Sequence, residues 1–223
     1  MKNLIYEIVS VLAIVAYFVP LAIVLLKKMW QVTPFLLFAL YWVVGGLVNL
    51  TDYAGFSSRT SEIITVVYNI LDMPVVMFIL HKTTSSPGVR KVTGVAVPVF
   101  LAAEIVNSII RGLNYEAIKY TLAVGLLLVL VLIVWEIILY LQKIEHTGRE
   151  RGLLFIYAAL LFEYGTYIII YIFDYYLQHI SSTVDNYLVY YVSSLIAIVI
   201  ATCGYLTKGI NKKPGFLNRS FEP

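Results

Sequence analysis

Asp72 lies in the middle of a predominantly apolar segment that runs from residue 63 to residue 80. A helix of about 20 predominantly apolar residues is long enough to cross the ~30 Å hydrocarbon core of a bilayer. A carboxylate at that depth is costly unless it is protonated, paired with a partner or in contact with water. Asp72 must therefore be protonated, or the chain must fold so that a partner or water lies beside it, which makes this residue the first candidate for a functional site.

The composition indicates a polytopic membrane protein. Hydrophobic residues make up 61% of the chain and charged residues 13%, and the mean hydropathy is +0.87. A soluble domain is about half apolar and about a quarter charged. The net charge of +3 is modest, so we expect the bilayer, and no nucleic acid, as a partner.

Seven segments are long and apolar enough to span a bilayer. These predicted spans cover residues 4–26, 34–54, 62–81, 92–112, 117–142, 153–178 and 187–207. We expect the first to be retained, because it lacks a small-x-small cleavage pattern and is followed directly by Lys27 and Lys28. The sequence thus predicts an all-α integral membrane protein, a seven-transmembrane-helix bundle over 1–207, with a basic tail at 208–223.

Basic residues indicate the orientation of this bundle. Lysines and arginines concentrate in the loops after spans 1, 3 and 5 and in the tail, whereas the opposite side holds only Lys2, Arg59, Arg111 and Lys119. Loops rich in Lys and Arg remain in the cytoplasm. We therefore predict an outside N-terminus, a cytoplasmic tail and a multi-pass protein of the plasma membrane or bacterial inner membrane. The basic inner loops also suit a protein partner or anionic lipid.

Three carboxylates lie at a similar depth on three different spans. Asp72 is near the centre of span 3, and Glu104 and Glu163 lie within about two residues of the centres of spans 4 and 6, counted at 1.5 Å per residue. Further polar side chains follow at helical spacing, mostly toward the outer side. The residues that we expect to line a site are Asp72, Glu104, Glu163, Asn69, Asn107, Arg111, Tyr167, Asp174, Asn49, Asp52 and Tyr191.

This pattern predicts a polar cavity that opens to the outer side. The inner halves of spans 2, 3, 4 and 7 are almost purely apolar, so we expect a carboxylate floor at mid-membrane with an apolar plug beneath it. The alternative for each buried carboxyl is a hydrogen-bonded anchor between helices. Arg111 is either an interfacial residue or an ion-pair partner of Glu104. Asp52 and Asp174 lie near the outer interface, where a solvated carboxylate costs little.

The residues that are missing from the spans narrow the chemistry. His81, His146 and His179 lie at span ends or in loops, which argues against a histidine-bound zinc site. A carboxylate site still suits a hard cation. A retinal Schiff base requires a lysine within span 7, and Lys208 lies at its inner end, which argues against retinal. The sequence indicates no other cofactor.

Three functions from different classes fit these observations. The favoured hypothesis is that the protein binds or transports a small cationic or proton-coupled solute. A second is an intramembrane enzyme that acts on a lipid-like substrate, with carboxylates as general acid and base; whether the protein is an enzyme stays open, because no nucleophile is evident. The third is a seven-helix sensor or assembly subunit that signals through a separate partner.

Overall fold

In a computed structural model, the described residues, 2–175 and 183–210, form eight α-helices and no β-strand. Side chains are described for 4–51, 53–173 and 187–210. The helices are α1 Lys2–Ala16, α2 Val19–Leu26, α3 Thr33–Leu50, α4 Ser58–Thr83, α5 Pro87–Arg111, α6 Tyr115–Leu141, α7 Gly148–Tyr175 and α8 Thr183–Leu206. Short 3-10 turns at Met29–Gln31 and Thr51–Tyr53 follow α2 and α3. The predicted end of span 6 at 178 and most of the tail, 211–223, lie outside the described residues.

Within the described residues, seven helical segments are long and apolar enough to cross a bilayer. Helices α1 and α2 together supply one of them, Leu4–Leu26, and α3 to α8 supply the other six. The prediction of an all-helical chain with seven such segments is therefore confirmed. The helices begin up to five residues before the predicted spans, as in α5, whose Pro87 stands in the first turn where its missing N–H costs nothing.

The first segment is broken, which the sequence analysis did not predict. Helix α1 ends at Ala16, and α2 begins at Val19. Pro20 has no N–H to offer to the carbonyl of Ala16, so the regular i to i−4 bond is lost at this point. The Phe18 amide instead bonds to the Val15 carbonyl three residues back, at 3.2 Å.

Six segments form a closed ring, and α5 lies outside it. The α1–α2 segment packs against α3, followed in order by α4, α6, α7 and α8, and α8 packs back on α1 and α2. Helix α5 packs against α4 and α6. We name the end of the bundle with the α3–α4 and α5–α6 connections the N-terminal end, and the opposite end, with Lys27, Lys82 and Lys143, the basic end.

The half of the bundle toward the basic end is filled with apolar side chains. Phe38 from α3, Met77 and Leu80 from α4 and Ile133 from α6 are completely buried there, and Leu132 is nearly so. Van der Waals packing of this kind is a main source of stability between membrane helices. This apolar layer lies between Asp72 and the basic end.

Glycines allow α7 and α8 to approach closely near the basic end. A Cβ atom added at Gly204 would lie 2.6 Å from the carbonyl oxygen of Gly152, and one added at Gly152 would lie 2.9 Å from the carbonyl oxygen of Gly204. Small residues at helix contacts let the backbones come together in this way. Among the described helix pairs, α7 and α8 share the most extensive contact.

We predict that Gly152→Ala destabilises the protein, whereas Gly165→Ala does not. The methyl group at 152 would meet the α8 backbone, and such overpacking costs about 1–3 kcal/mol. At Gly165, also in α7, an added Cβ meets nothing within 4 Å, so the better helix propensity of alanine acts alone. Unfolding midpoints of both variants in detergent check this. Equal midpoints would contradict the close contact.

Candidate functional site

Asp72 is buried in α4, with 5% of its surface exposed. Its Oδ2 accepts a hydrogen bond of 2.6 Å from the Tyr164 hydroxyl of α7. Tyr41 of α3 lies 3.1 Å from that hydroxyl. A phenol has one proton, and because Tyr164 gives its proton to Asp72, Tyr41 donates to Tyr164. The result is a chain of donors from α3 through α7 to α4.

The second carboxylate oxygen of Asp72 has a different environment. Within the part of the chain that the structure describes, Oδ1 is buried and has no hydrogen-bond partner. The hydroxyls of Tyr41 and Tyr68 lie near the carboxyl, but neither meets hydrogen-bond geometry with Oδ1. A buried acceptor without a partner is costly. One oxygen of Asp72 is therefore held by the protein, and the other has no donor among the described residues.

Glu163 lies beside this cluster in α7, directly before Tyr164, and is 1% exposed. Its Oε1 accepts a hydrogen bond of 2.9 Å from the Tyr167 hydroxyl. Its Oε2 accepts one of 3.3 Å from the indole Nε1 of Trp42 in α3. Both carboxylate oxygens thus have protein donors. This arrangement is that of an anchor between α3 and α7.

A cavity of about 770 Å³ extends from Asp72 toward the N-terminal end. Small-molecule sites typically have volumes of about 300–1,000 Å³. The mouth lies near Ser58 and Tyr187, both of which are exposed. The lining residues are Val48, Asn49, Ser58, Ser61, Glu62, Thr65, Tyr68, Asn69, Asp72, Met73, Tyr115, Leu122, Leu126, Tyr167, Ile170, Tyr171, Tyr187, Tyr190 and Tyr191.

The lining is acidic and rich in tyrosine. Asp72 and Glu62 supply carboxylates, and the described lining residues include no lysine, arginine or histidine. Glu62 is at the mouth, where it forms a 2.8 Å salt bridge with Arg59. Seven lining residues are tyrosines: Tyr68, Tyr115, Tyr167, Tyr171, Tyr187, Tyr190 and Tyr191. The faces of aromatic rings attract cations, so charge and ring chemistry favour the same kind of ligand.

Ring contacts and hydrogen bonds order the tyrosines of α7 and α8. The rings of Tyr167 and Tyr190 stack with centroids 5.4 Å apart, and Tyr191 meets Tyr190 edge-on at 5.2 Å. Asn49 of α3 donates to the Tyr190 hydroxyl at 3.1 Å. The wall of the cavity on this side is therefore preorganised rather than a set of independent side chains.

Tyr17 joins the broken first segment to this wall. It donates to Ser194 Oγ at 2.9 Å, so the 3.3 Å contact between the Tyr17 and Tyr190 hydroxyls has Tyr190 as its donor. A Cβ atom added at Gly46 of α3 would lie 2.8 Å from the Cβ of Tyr17. The glycine provides the space in which Tyr17 reaches the wall from the break between α1 and α2.

The structure places five of the predicted site residues together in the cavity lining. They are Asp72, Asn69, Tyr167, Asn49 and Tyr191. Four others, Glu104, Glu163, Asn107 and Arg111, do not line the cavity. The side chains of Asp52 and Asp174 lie outside the described residues.

Glu104 is separated from Asp72 and Glu163 because α5 lies outside the ring. Its side chain is 2% exposed and lies beside Thr121 of α6, and its Oε2 has no hydrogen-bond partner among the described residues. Asn107 also faces α6, where it donates to the Ala117 carbonyl at 2.7 Å. Arg111 is exposed and forms no ion pair with Glu104, although both side chains are described. The three carboxyls that were expected in one layer therefore lie at two separate sites, with Asp72 and Glu163 at one and Glu104 at the other.

Several residues of the site were missed in the sequence analysis. Tyr68 stands one helical turn before Asp72, at i and i+4, so the spacing already places it on the same face. Tyr164 follows Glu163 directly. Tyr41 and Trp42 reach the carboxyls only through the packing of α3 on α7, for which the sequence contains no periodic signal.

Comparison with known proteins gives no match: neither a family model, nor a curated protein, nor a solved structure matches the chain. The function is therefore inferred from the cavity and its residues alone.

We predict that the bond between Tyr164 and Asp72 appears as a coupling energy in a double-mutant cycle. Tyr164→Phe removes the donor, and Asp72→Leu removes the acceptor. Interhelical hydrogen bonds in membranes contribute up to about 1–2 kcal/mol, and the charged acceptor favours the upper end. Unfolding free energies of the two single variants and the double variant measure this coupling.

The matched control replaces Tyr164→Phe by Tyr120→Phe. Tyr120 is 62% exposed on α6, so this cycle should show no coupling with Asp72→Leu. Strictly additive effects of Tyr164→Phe and Asp72→Leu would show that the observed hydrogen bond does not stabilise the fold.

Proposed function

We propose that the protein binds a small organic cation in the cavity, with Asp72 as the counter-ion. The observation that carries this proposal is a buried carboxyl in the lining of a tyrosine-rich cavity, with an oxygen, Oδ1, that has no partner among the described residues. A bound cation would supply the partner that Oδ1 lacks.

The charge of the lining favours a cation over an anionic or neutral ligand. Carboxylates and tyrosine rings surround the space, and no basic side chain lines it in the part of the chain that the structure describes. An anion would meet Asp72 without a compensating positive group, in surroundings where charges are poorly screened. A neutral ligand would leave the cost of burying Asp72 uncompensated.

The ligand set favours an organic cation over a metal ion. Ca²⁺ takes about six to eight oxygen ligands, and Mg²⁺ requires nearly octahedral geometry. The described residues contain no group of three or more His, Cys, Asp or Glu side chains that could hold a metal. One carboxylate oxygen with several aromatic rings is instead the type of site that recognises ammonium groups.

The cavity mouth is proposed to face the outside of the cell. The lysines and arginines of the basic end would be cytoplasmic by the positive-inside rule, which leaves Ser58 and Tyr187 at the outer surface of a plasma or bacterial inner membrane. The ligand would then enter from the external solution.

Transport and sensing place different demands on the apolar layer. Phe38, Met77 and Leu132 lie between Asp72 and the basic end, so a transported cation must part this layer, whereas a sensor needs only a change that a partner detects. Uptake of labelled tetramethylammonium into proteoliposomes distinguishes a transporter from a protein that binds without transport.

We predict that the purified protein in lipid nanodiscs binds tetramethylammonium and that Asp72→Asn weakens binding at least tenfold. The substitution keeps the size of the side chain and removes its charge. Glu104→Gln is the matched control, because Glu104 is also buried but does not line the cavity. The affinity of this variant should stay within about twofold of the wild type, because the side chain at 104 does not contact the ligand. Calorimetric titration provides both values.

Two outcomes would defeat this proposal. One is wild-type protein that remains folded and shows no binding of tetramethylammonium. The other is equal loss of affinity in Asp72→Asn and Glu104→Gln, which would place the effect in the general fold rather than in the cavity.

The proposed orientation predicts opposite labelling of two serine positions. In a Cys203→Ser background, Ser58→Cys at the N-terminal end should react with a membrane-impermeant maleimide in intact cells. Ser85→Cys at the basic end should react only after the cells are permeabilised. Both serines are exposed, so accessibility within the fold does not separate them. The reverse pattern would invert the bundle and direct the cavity to the cytoplasm.

A further inference from the structure

A second concave surface lies on the membrane-facing side of Asp72. It is a groove of about 270 Å³ between α3 and α4. Two apolar stripes build it, Leu40 and Val44 on α3 and Leu71, Val75 and Phe78 on α4. These five side chains are 40% to 50% exposed, although they belong to helices of membrane-spanning length. The groove therefore opens toward the acyl chains of the bilayer.

The groove and the cavity meet at two residues. Asp72 and Tyr68 line both spaces. In α4 they lie close to the groove residues Leu71 and Val75 and to the cavity residues Asn69 and Met73, so the two spaces adjoin at Asp72 and Tyr68. Asp72, which the sequence places at mid-membrane, thus lines both the polar cavity and the apolar groove.

We propose that the ligand is a single-chain cationic amphiphile, a long-chain amine or ammonium ion, whose head binds Asp72 and whose hydrocarbon chain occupies the α3–α4 groove. This inference rests on the proposed function, because it assumes cation binding at Asp72. It adds the chemical class of the ligand and a lateral path beside Tyr68.

The two compartments match the two parts of such a molecule. The head needs a counter-ion and aromatic faces, which Asp72 and Tyr68 provide. The chain needs apolar surroundings, and the cavity is a poor place for it, because the polar side chains of Asn49, Asn69 and Thr65 line the cavity. The groove accepts the chain without this cost.

The position of the groove facing the membrane does not by itself identify its occupant. Any groove open to a bilayer can be filled by a neighbouring acyl chain. Asp72 is one of the residues that line this groove, and its Oδ1 is buried and without a partner among the described residues. An acyl chain from an ordinary lipid would bring no positive group to that oxygen, whereas an amphiphilic cation satisfies both the oxygen and the groove.

Competition against labelled tetramethylammonium in nanodiscs tests the proposal. Unlabelled tetramethylammonium and dodecyltrimethylammonium are compared, with the bilayer share of the longer ion measured in protein-free nanodiscs and subtracted. For the wild type we expect dodecyltrimethylammonium to compete at a concentration at least tenfold lower after this correction. Val44→Trp, which fills the groove from α3, should remove that advantage and leave tetramethylammonium affinity within about twofold, since Val44 does not line the cavity.

Leu47→Trp is the matched control. Leu47 is also an exposed apolar residue of α3, but it lines neither the groove nor the cavity, so its variant should keep the wild-type preference for the longer ion. Leu71→Trp fills the groove from α4 and serves as the second test if Val44→Trp does not fold.

The outcomes separate this inference from the proposed function. If the two ions compete equally in the wild type after correction, or if both groove-filling variants keep the full preference for the longer ion, the chain does not lie in the groove and the inference is overturned, while cation binding stands. If the folded wild type binds neither ion, the proposed function fails and this inference fails with it.

Discussion

Carboxyl groups buried among apolar helices accept hydrogen bonds that hold several helices of this bundle together. Three of them accept a hydrogen bond from a side chain of another segment: Asp72 from Tyr164, Glu163 from Trp42, and Glu136 from Thr84. A polar group without a partner in a bilayer is expensive, so each donor holds its helix in place. Helices α3, α4 and α7 are joined in this way around the middle of the membrane-spanning segments.

Asp72 differs from Glu163 in how many of its carboxylate oxygens have a hydrogen-bond donor. Both oxygens of Glu163 have donors, whereas Asp72 has a donor on one oxygen and none on the other within the described chain. Neighbouring carboxyls in similar surroundings thus have different roles. The satisfied group fixes the helices, and the partly satisfied group lies where the cavity and the groove meet. Removal of the Glu163 charge should therefore lower the stability of the fold more than the affinity for the ligand. Removal of the Asp72 charge should lower the affinity for the ligand more than the stability.

The sequence predicts well the depth of a residue along its span, but it predicts poorly the position of each helix around the bundle. Segment length and hydropathy predicted seven helices, and spacing along α4 placed Asn69 and Asp72 on one face, as the cavity lining shows. Glu104 shares that depth, but depth does not reveal that α5 lies outside the ring against α4 and α6. Nor does the sequence show which aromatic residue will reach a carboxyl, because the contact between Tyr41 and Tyr164 joins positions 123 residues apart. Local patterns predict elements, and the pairing of distant side chains depends on their packing.

The irregular points of the helices set limits on any conformational change at this site. The break between α1 and α2 is a consequence of Pro20 and brings Tyr17 to the network of Tyr190 and Ser194. Pro74 lies two residues beyond Asp72 inside a continuous α4, where it deprives the Ile70 carbonyl of its helical partner. Bending at either proline costs fewer backbone hydrogen bonds than bending elsewhere. A bend at either proline would therefore start close to the cavity, because Tyr17 contacts the lining residue Tyr190 and Pro74 is two residues from Asp72.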